Sequence, residues 1–385
     1  MPSTPPLPTA PPPAQRRTLR GCLLPAVMLF LLLSLLVNFV FVLGYTGAIS
    51  DPMGEPPEGL EEHFYIGDGG ARDKIAIVRV SGVISEGGIA FPIKQLRVAA
   101  ADPHVKAVVL RIDSPGGTVS ASEELFQCIV NVRDNTGRRF PGSAPKPVSV
   151  SMGSLAASGG YYIAVAGNPI VAEKVTITGS IGVFAALPNV ADWAQHHGLK
   201  LELVKAGDIK ASGSFFHKLS PEERQTWQDT VDNAYDTFLD VIAKGRPGLT
   251  PDALRKEIVL DRMVPKRDEK GNPELDKANK PIEVKHTRVR ADGGTFTAAQ
   301  AQQFKLIDGI EDLPAAVRST AARAGLTSFK AVTYEKQPGL LEKVTGVQLK
   351  NGSGTIGLPD VSANLTPRLW YLSPTADAGL LTRNP

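Results

Sequence analysis

The chain has 385 residues, of which 42% are hydrophobic, so it is long enough and apolar enough to bury a large core. The formal net charge is only +3, and we expect no nucleic-acid partner, because binding one needs basic side chains clustered on one face. The two cysteines, Cys22 and Cys128, lie far apart in the sequence. This spacing excludes a disulfide framework and a cysteine-based metal site, and we expect neither a metal nor a cofactor.

An uncharged apolar segment lies near the start of the chain. Residues 21–50 contain no charged side chain, and the run can cross a bilayer core of about 30 Å, whereas a cleaved signal peptide has a shorter apolar region. Three arginines precede the run and no Lys or Arg follows until Arg72, which places the preceding tail in the cytoplasm. We predict a single-pass anchor at residues 21–47 in the cytoplasmic (inner) membrane, with the rest of the chain on the extracytoplasmic side.

Composition divides the remaining chain into a body and flanking segments. Residues 1–20 are Pro-rich, as in an extended tail, and residues 48–72 are rich in Gly, Pro and Glu, as in a linker. We place the folded body at residues 73–330. Within it, the highly charged stretch at about 261–290 predicts an irregular, solvated surface insertion. Residues 331–385 form an extension that we expect to be partly ordered, because "LTPRLWYLSP" carries a Trp and a Tyr.

Strand and helix patterns alternate through the body. Runs of β-branched or continuously apolar residues predict strands at Lys74–Ile84, Val105–Asp113, Lys146–Met152, Pro169–Glu173 and Leu201–Ala206. Helical spacing and capping signals predict helices at Pro92–Ala101, Val119–Arg133, about 156–166 and Ser220–Gly245. Such alternation is typical of an α/β fold with a largely parallel sheet and flanking helices.

The stretch "SMGSLAASGGYY" places Ser158 among small residues that leave an approach to its hydroxyl open. If a helix begins here, the amide of Gly159 is unpaired and can face a developing oxyanion. The turn "SPGG" ends the preceding strand and offers further amides at Gly116 or Gly117, at the edge where α/β sheets place their sites. Close helix packing and an ordinary tight turn explain the same two patterns without any chemistry.

A nucleophilic serine needs a base, and the sequence leaves its identity open. None of the six histidines lies in a recognisable Ser-His-Asp pattern, and no G-x-S-x-G motif occurs. A lysine can act as base where burial lowers its pKa. Of Lys205, Lys210 and Lys218, we expect Lys210 to be the least solvated, because apolar and small residues surround it. A surface lysine fits the same pattern.

Four motifs occur in an order that resembles the bacterial signal peptide peptidase A (SppA) family. They are "LRIDSPGG", "SMGSLAASGGYYIA", "TITGSIGV" and "AGDIKASGSFF". The similarity extends from about Lys74 to Arg323 and includes "ADGGTFTAAQAQQFKLIDGI". The resemblance implies a membrane-anchored serine peptidase with a Ser-Lys dyad on a ClpP/crotonase-like fold.

The resemblance also implies a role for individual residues. Ser158 would be the nucleophile and Lys210 the general base, and Ser180 would orient the lysine amine. Gly159 and Gly117 would donate to the oxyanion. Substrate would lie extended against strand edges near Ser114–Val119 and Thr176–Val183, with Gly116 and Gly179 in contact with it.

The expected partners are hydrophobic peptides, such as cleaved signal peptides, and the lipid bilayer. Larger members of the family carry two tandem copies of the unit that this chain carries once, so we also expect a homo-oligomer. Two alternatives remain. One is a crotonase-like enzyme that acts on a thioester, and the other is a catalytically silent membrane-bound scaffold that only binds peptides.

Overall fold

A computed structural model describes residues 28–35, 38, 60–135, 140, 143–336 and 369–372. The chain divides into two compact units, Met1–Glu58 and Gly59–Pro385. In the first unit, residues 28–35 form an exposed helix, α1. Among the described residues, no helix combines the length and the apolar composition needed to cross a membrane. Most of the anchor predicted at residues 21–47 lies outside the described residues, as does all of the tail.

The second unit contains all fourteen strands found among the described residues. They are β1 (Leu60–Gly67), β2 (Lys74–Ser81), β3 (Val105–Ser114), β4 (Gly116–Thr118), β5 (Val148–Ala157), β6 (Ile170–Ala172), β7 (Ile177–Gly179), β8 (Phe184–Ala185), β9 (Ile258–Pro265), β10 (Glu283–Val289), β11 (Thr295–Thr297), β12 (Gly309–Ile310), β13 (Lys330–Lys336) and β14 (Leu369–Leu372).

The helices of this unit lie between the strands along the chain. They are α2 (Ala90–Ala101), α3 (Val119–Asp134), α4 (Gly159–Ala164), α5 (Ala191–His196), α6 (Pro221–Gly245), α7 (Pro251–Lys256), α8 (Ala298–Gln303) and α9 (Leu313–Arg323). The longest, α6, begins as its sequence predicts, because Ser220 and Glu223 form a reciprocal capping box.

A nine-stranded sheet forms the centre of this unit, with the main order β1-β13-β2-β3-β5-β6-β12. Strand β7 extends it by pairing with β5 and with β11. Only β1–β13 and β11–β7 are antiparallel among its described pairs. The prediction of an α/β fold with a largely parallel sheet and flanking helices is therefore confirmed, while the ClpP/crotonase-like assignment stays a prediction.

Both faces of the sheet are buried, which explains the continuous apolar runs of its central strands. Val108 and Leu110 of β3 face the larger core, which also holds residues of α2, α3, α4 and α6. Ala107 and Val109 face the opposite side, where α9 packs with Val317. Parallel strands buried in this way bring their carboxyl ends to one edge of the sheet, and that edge carries the candidate site.

Four sequence predictions need correction. Strand β5 continues to Ala157, so the helix predicted at about 156–166 is shorter and spans Gly159–Ala164. Residues Leu201–Ala206 form no strand and are exposed. The charged stretch at about 261–290 is exposed but not irregular, because β9 and β10 pair there as an antiparallel sheet. The strand at Lys74–Ile84 ends at Ser81.

A third, smaller sheet joins distant parts of the chain. Its strand order is β4-β14-β8, and β14 is antiparallel to both neighbours. Strand β14 (Leu369–Leu372) comes from the extension at residues 331–385.

Candidate active site

Ser158 occupies the sharp turn between β5 and α4. Its φ of 54° and ψ of −116° are unusual for a residue with a side chain, and such strain is typical of functional turns. Two backbone hydrogen bonds hold the turn. The Ser158 N–H donates to the Gly179 carbonyl at 2.8 Å, and the Ser158 carbonyl accepts from the Tyr162 N–H at 2.8 Å.

The hydroxyl of Ser158 is buried and unpartnered. The residue is 0% exposed, and its Oγ has no hydrogen-bond partner within the described chain. A buried hydroxyl without a partner costs free energy, so an unsatisfied group of this kind calls for a functional explanation. The arrangement suits a nucleophile whose partner or substrate comes from outside the chain.

Helix α4 lies against the end of β3 because Gly160 lacks a side chain. A Cβ at Gly160 would lie 2.8 Å from the carbonyl oxygen of Ser114, which is closer than real Cβ contacts. The same packing places α4, whose first residue is Gly159, close to β3 and to β4. The amide of Gly159 has no intrahelical partner, because the first N–H groups of a helix have none.

The two glycines of the "SPGG" turn after β3 have different surroundings. The Gly116 N–H donates to the buried Oγ of Ser114 at 3.1 Å, so this amide already has a partner. Gly117 lies directly beside Ile84, where a Cβ would fall 1.7 Å from the Ile84 carbonyl oxygen. Glycine at this position therefore lets the two backbones meet.

Ser180 lies beside the candidate nucleophile. Residues Ala157 and Gly179 face each other in the parallel β5–β7 pair, and Ser158 and Ser180 are the residues that follow them. Ser180 is buried, with a φ of 51°, and its Oγ donates to the Gly293 carbonyl at 3.0 Å. A hydroxyl that donates in this way keeps lone pairs that can accept from an amine.

Lys210 is not brought to Ser158 within the chain. It lies exposed in the irregular segment between α5 and α6, and no hydrogen bond or ion pair of its Nζ occurs among the described residues. Since Ser158 Oγ has no partner, the two groups are not hydrogen-bonded. In the single chain Lys210 is exposed, as are Lys205 and Lys218, so the expectation that it is the least solvated of the three stays a prediction.

No other buried lysine in the described part of the chain replaces it at the site. Among the described residues Lys146 is the one buried lysine, and its Nζ donates to the carbonyls of Asp102 and Val105. Burial lowers the pKa of Lys146. However, Lys146 precedes β5 whereas Ser158 follows it, so a full strand of about 33 Å separates them.

Comparison with known proteins places these residues in one family. The sequence pattern of Peptidase family S49 matches residues 142–257, a stretch that includes Ser158, Ser180 and Lys210. "Protease 4" of Salmonella typhi is 31% identical over 301 residues, which cover 76% of this chain. The chain belongs to peptidase family S49. The resemblance to SppA-type serine peptidases is thereby confirmed.

The relatives of this S49 chain differ in length. The matched region spans 41% of the Salmonella protein but 90% of a putative protease of Synechocystis sp., which is 29% identical over 75% of this chain. A protein of Enterococcus faecium named "Putative signal peptide peptidase SppA" is 33% identical, over 46% of this chain and 53% of its own length. The S49 chain thus covers less than half of its long Salmonella relative.

Proposed function

We propose that this chain is a membrane-anchored serine endopeptidase in which Ser158 is the nucleophile and Lys210 the general base. The observation that carries the proposal is the buried, unpartnered Oγ of Ser158 in a strained turn between a strand and a helix. Its place within the S49-matched stretch supports a hydrolytic role over the thioester alternative. The combination of Ser158, Ser180 and Lys210 in one chain disfavours a silent scaffold.

The chemistry proceeds through an acyl-enzyme. Ser158 Oγ attacks the scissile carbonyl carbon while an uncharged Lys210 amine takes its proton. The amides of Gly159 and Gly117 donate to the oxyanion, and each such donor contributes roughly 2.7–4 kcal/mol to the barrier reduction in related sites. The intermediate collapses, and the leaving amine receives the proton from Lys210. Water then cleaves the ester, again with Lys210 as base.

Lys210 reaches Ser158 from a neighbouring copy of the chain in this proposal. The segment around Lys210 exposes an unusual number of apolar side chains: Leu199, Leu201, Leu203, Val204, Ile209 and Phe216. Exposed apolar patches of this kind mark interaction surfaces. A second copy that covers the patch would remove water from the Lys210 amine, which favours its neutral form. This arrangement also gives the single-unit chain a reason to form a homo-oligomer.

Ser180 orients the amine once Lys210 arrives. Its Oγ is fixed by donation to the Gly293 carbonyl, so its lone pairs point in a defined direction beside Ser158. Gly179 contributes its carbonyl to the Ser158 amide and therefore fixes the distance between the two serines.

The substrates in this proposal are hydrophobic peptides, among them cleaved signal peptides, at the extracytoplasmic face of the inner membrane. The uncharged apolar run at residues 21–47 supports an anchor there, and the arginines before it support the orientation. The printed name of the Enterococcus relative refers to signal peptides. An anchored site would meet peptides that remain in the bilayer.

Labelling with a serine-reactive phosphonate tests the nucleophile. The purified full chain is expected to bind one phosphonate per Ser158 and to cleave apolar peptides, whereas Ser158→Ala does neither and keeps its circular dichroism spectrum. Ser154→Ala serves as the matched control, because Ser154 is an exposed serine of β5 that donates to Asp113. Labelling of Ser158→Ala at the same rate as wild type would refute the assignment.

A further inference from the structure

A turn between β10 and β11 holds Ser180 in place, and we call these residues, 290–294, the Ser180-binding turn. The Ser180 N–H donates to the Gly294 carbonyl at 2.8 Å, and the Ser180 Oγ donates to the Gly293 carbonyl at 3.0 Å. The Gly293 N–H in turn donates to the Ile181 carbonyl at 3.1 Å. The direction of the Ser180 hydroxyl therefore depends on where this turn lies.

Arg288 of β10 binds the Ser180-binding turn on both sides of its glycines. Its Nε and Nη2 donate to the two carboxylate oxygens of Asp292 at 2.7 and 2.8 Å, and its Nη1 donates to the Thr295 carbonyl at 2.9 Å. Asp292 Oδ1 also accepts from the Gly294 N–H at 2.9 Å. One guanidinium thus joins the residue before and the residue after the two carbonyls that accept from Ser180.

The ion pair of Arg288 and Asp292 is of the stronger kind. Exposed ion pairs contribute little to stability, but a bidentate arginine–carboxylate pair fixes its geometry and forms stronger hydrogen bonds. The two side chains are only 18% and 26% exposed. Burial raises the pKa of Asp292, but hydrogen bonds from Arg288 and from the Gly294 amide outweigh it and lower the pKa overall. The carboxylate is therefore charged at neutral pH and keeps its hold on the guanidinium.

The guanidinium of Arg288 has room because residue 294 lacks a side chain. A Cβ at Gly294 would overlap with Arg288 Nη2. The Cζ of Arg288 also lies 4.2 Å from the centroid of the Phe296 ring. Phe296 is buried and packs on Gly179, where a Cβ would lie 2.7 Å from the ring. Arg288 thus contacts the surroundings of Ser180 through a backbone turn and through an aromatic ring.

We propose that Arg288 is a positioning residue for the serine peptidase reaction, and that it acts by fixing the turn that holds Ser180. The inference rests on the proposed function for its effect on hydrolysis, but not for the fixing of the turn. The stretch that matches the S49 pattern ends at residue 257, so that pattern assigns no role to Arg288. The charged, exposed β9–β10 sheet gains a role from it, because β10 carries this arginine to the site.

Two substitutions in the full chain remove this contact in different ways. Arg288→Ala deletes the guanidinium. Gly294→Ala keeps it but displaces it, because the added Cβ meets the flexible end of the arginine. Lys285→Ala is the matched control, since it removes a basic side chain of the same strand whose ion pair with Asp261, at 3.1 Å, is exposed.

Amide hydrogen exchange measures the turn without using the activity. The Ser180 and Gly293 amides are the two that bond across the turn. We expect both to exchange about tenfold faster in Arg288→Ala and in Gly294→Ala than in Lys285→Ala, because the turn opens more often. Amides of the central strand β3 should exchange equally in all three chains, which shows that the fold is kept. Equal exchange of the Ser180 amide in the three chains would overturn the inference.

Steady-state kinetics with an apolar peptide measures the positioning. Arg288→Ala is expected to lower kcat about tenfold relative to Lys285→Ala, with KM nearly unchanged. In a Ser180→Ala background the same substitution should change kcat by less than about twofold, because no hydroxyl is left to position. An equal loss in both backgrounds would show that Arg288 does not act through Ser180 and would overturn the inference.

The two measurements distinguish failure of this inference from failure of the proposed function. Faster exchange in Arg288→Ala without any loss of kcat would mean that the arginine is only structural, which removes the inference and leaves the peptidase standing. A wild-type chain that hydrolyses no apolar peptide removes the proposed function. The exchange rates then decide by themselves whether Arg288 fixes the turn.

Discussion

The Ser158 amide donates to the Gly179 carbonyl at 2.8 Å, and this bond joins the ends of two parallel strands. It places Ser158 and Ser180, both at positive φ, side by side at one edge of the sheet. The two serines are separated in sequence by helix α4 and two short strands, β6 and β7. The pairing of β5 with β7 therefore brings the two serines together. The sheet holds them in fixed positions, and side chains from elsewhere can join them to form the site.

Gly160→Ala is expected to destabilise the site from the helix side. The added Cβ would lie 2.8 Å from the Ser114 carbonyl oxygen, so α4 or β3 must shift. Overpacking of this kind costs about 1–3 kcal/mol. Thermal unfolding measures the effect, with Gly87→Ala as control because a Cβ there meets nothing within 4 Å. Equal melting temperatures for the two variants would show that α4 does not need this contact.

Ser180→Ala is expected to lower kcat by about ten- to a hundredfold with KM nearly unchanged, since it removes a group that positions the base. Thr178→Val is the matched control. Thr178 is also buried, and its hydroxyl donates to the Ala156 carbonyl at 2.6 Å, so its loss affects stability alone. Steady-state kinetics with both variants separate the roles. A similar fall in kcat for Thr178→Val would mean that Ser180 is only structural.

Gly117→Ala is expected to abolish activity by displacing β4 rather than by blocking the nucleophile. Its Cβ would fall 1.7 Å from the Ile84 carbonyl oxygen, so the pairing of the two backbones must break. We expect a loss of kcat/KM of at least about a hundredfold, the effect of removing one oxyanion donor. Peptide hydrolysis measures it, and a variant within a few-fold of wild type would exclude Gly117 as an oxyanion donor.

Asp308→Asn tests the ion pair between Asp308 and Arg246, which holds the end of α6 near β6 and β12. Burial raises the pKa of Asp308, but hydrogen bonds from Arg246 and from the Ile170 amide, at 2.8 and 2.7 Å, outweigh it and lower the pKa overall. A carboxyl with a lowered folded pKa stabilises the protein above its unfolded pKa, and this stability is lost as pH falls through the folded pKa.

The lowered pKa of Asp308 determines how the stability of the Asp308→Asn variant depends on pH. Asp308→Asn should melt about 2–6 °C below wild type at pH 7, and the gap should narrow as pH falls toward 3. Thermal unfolding across this pH range measures it. A difference in melting temperature that stays constant with pH would mean that ionisation of Asp308 beside Arg246 does not contribute to the stability of the fold.

Much of the fold follows from local sequence signals, because buried parallel strands and capped helices are encoded by their own residues. Val105–Asp113 and Ser220–Gly245 were predictable for this reason. Residues Leu201–Ala206 have a strand-like composition, but no sheet edge pairs with them among the described residues. A strand needs a partner, and composition does not supply one.

The candidate site was predictable only in part. Small residues and glycines around Ser158 encode close backbone approach, and the structure bears this out at Gly160 and Gly117. The exposure of Lys210 could not be read from its apolar neighbours, because Ile209 and Phe216 are exposed as well. Pairing of β14 with β4 is equally non-local, since it depends on two segments far apart in the chain.

Mixing two inactive chains tests the central claim, that Ser158 of one copy works with Lys210 of another. Ser158→Ala and Lys210→Ala are unfolded together, refolded together and assayed for hydrolysis of an apolar peptide. If neighbouring copies supply the two groups, about a quarter of the sites in an equal mixture are complete, and about a quarter of wild-type activity returns. Activity no higher than that of either variant alone would contradict the account.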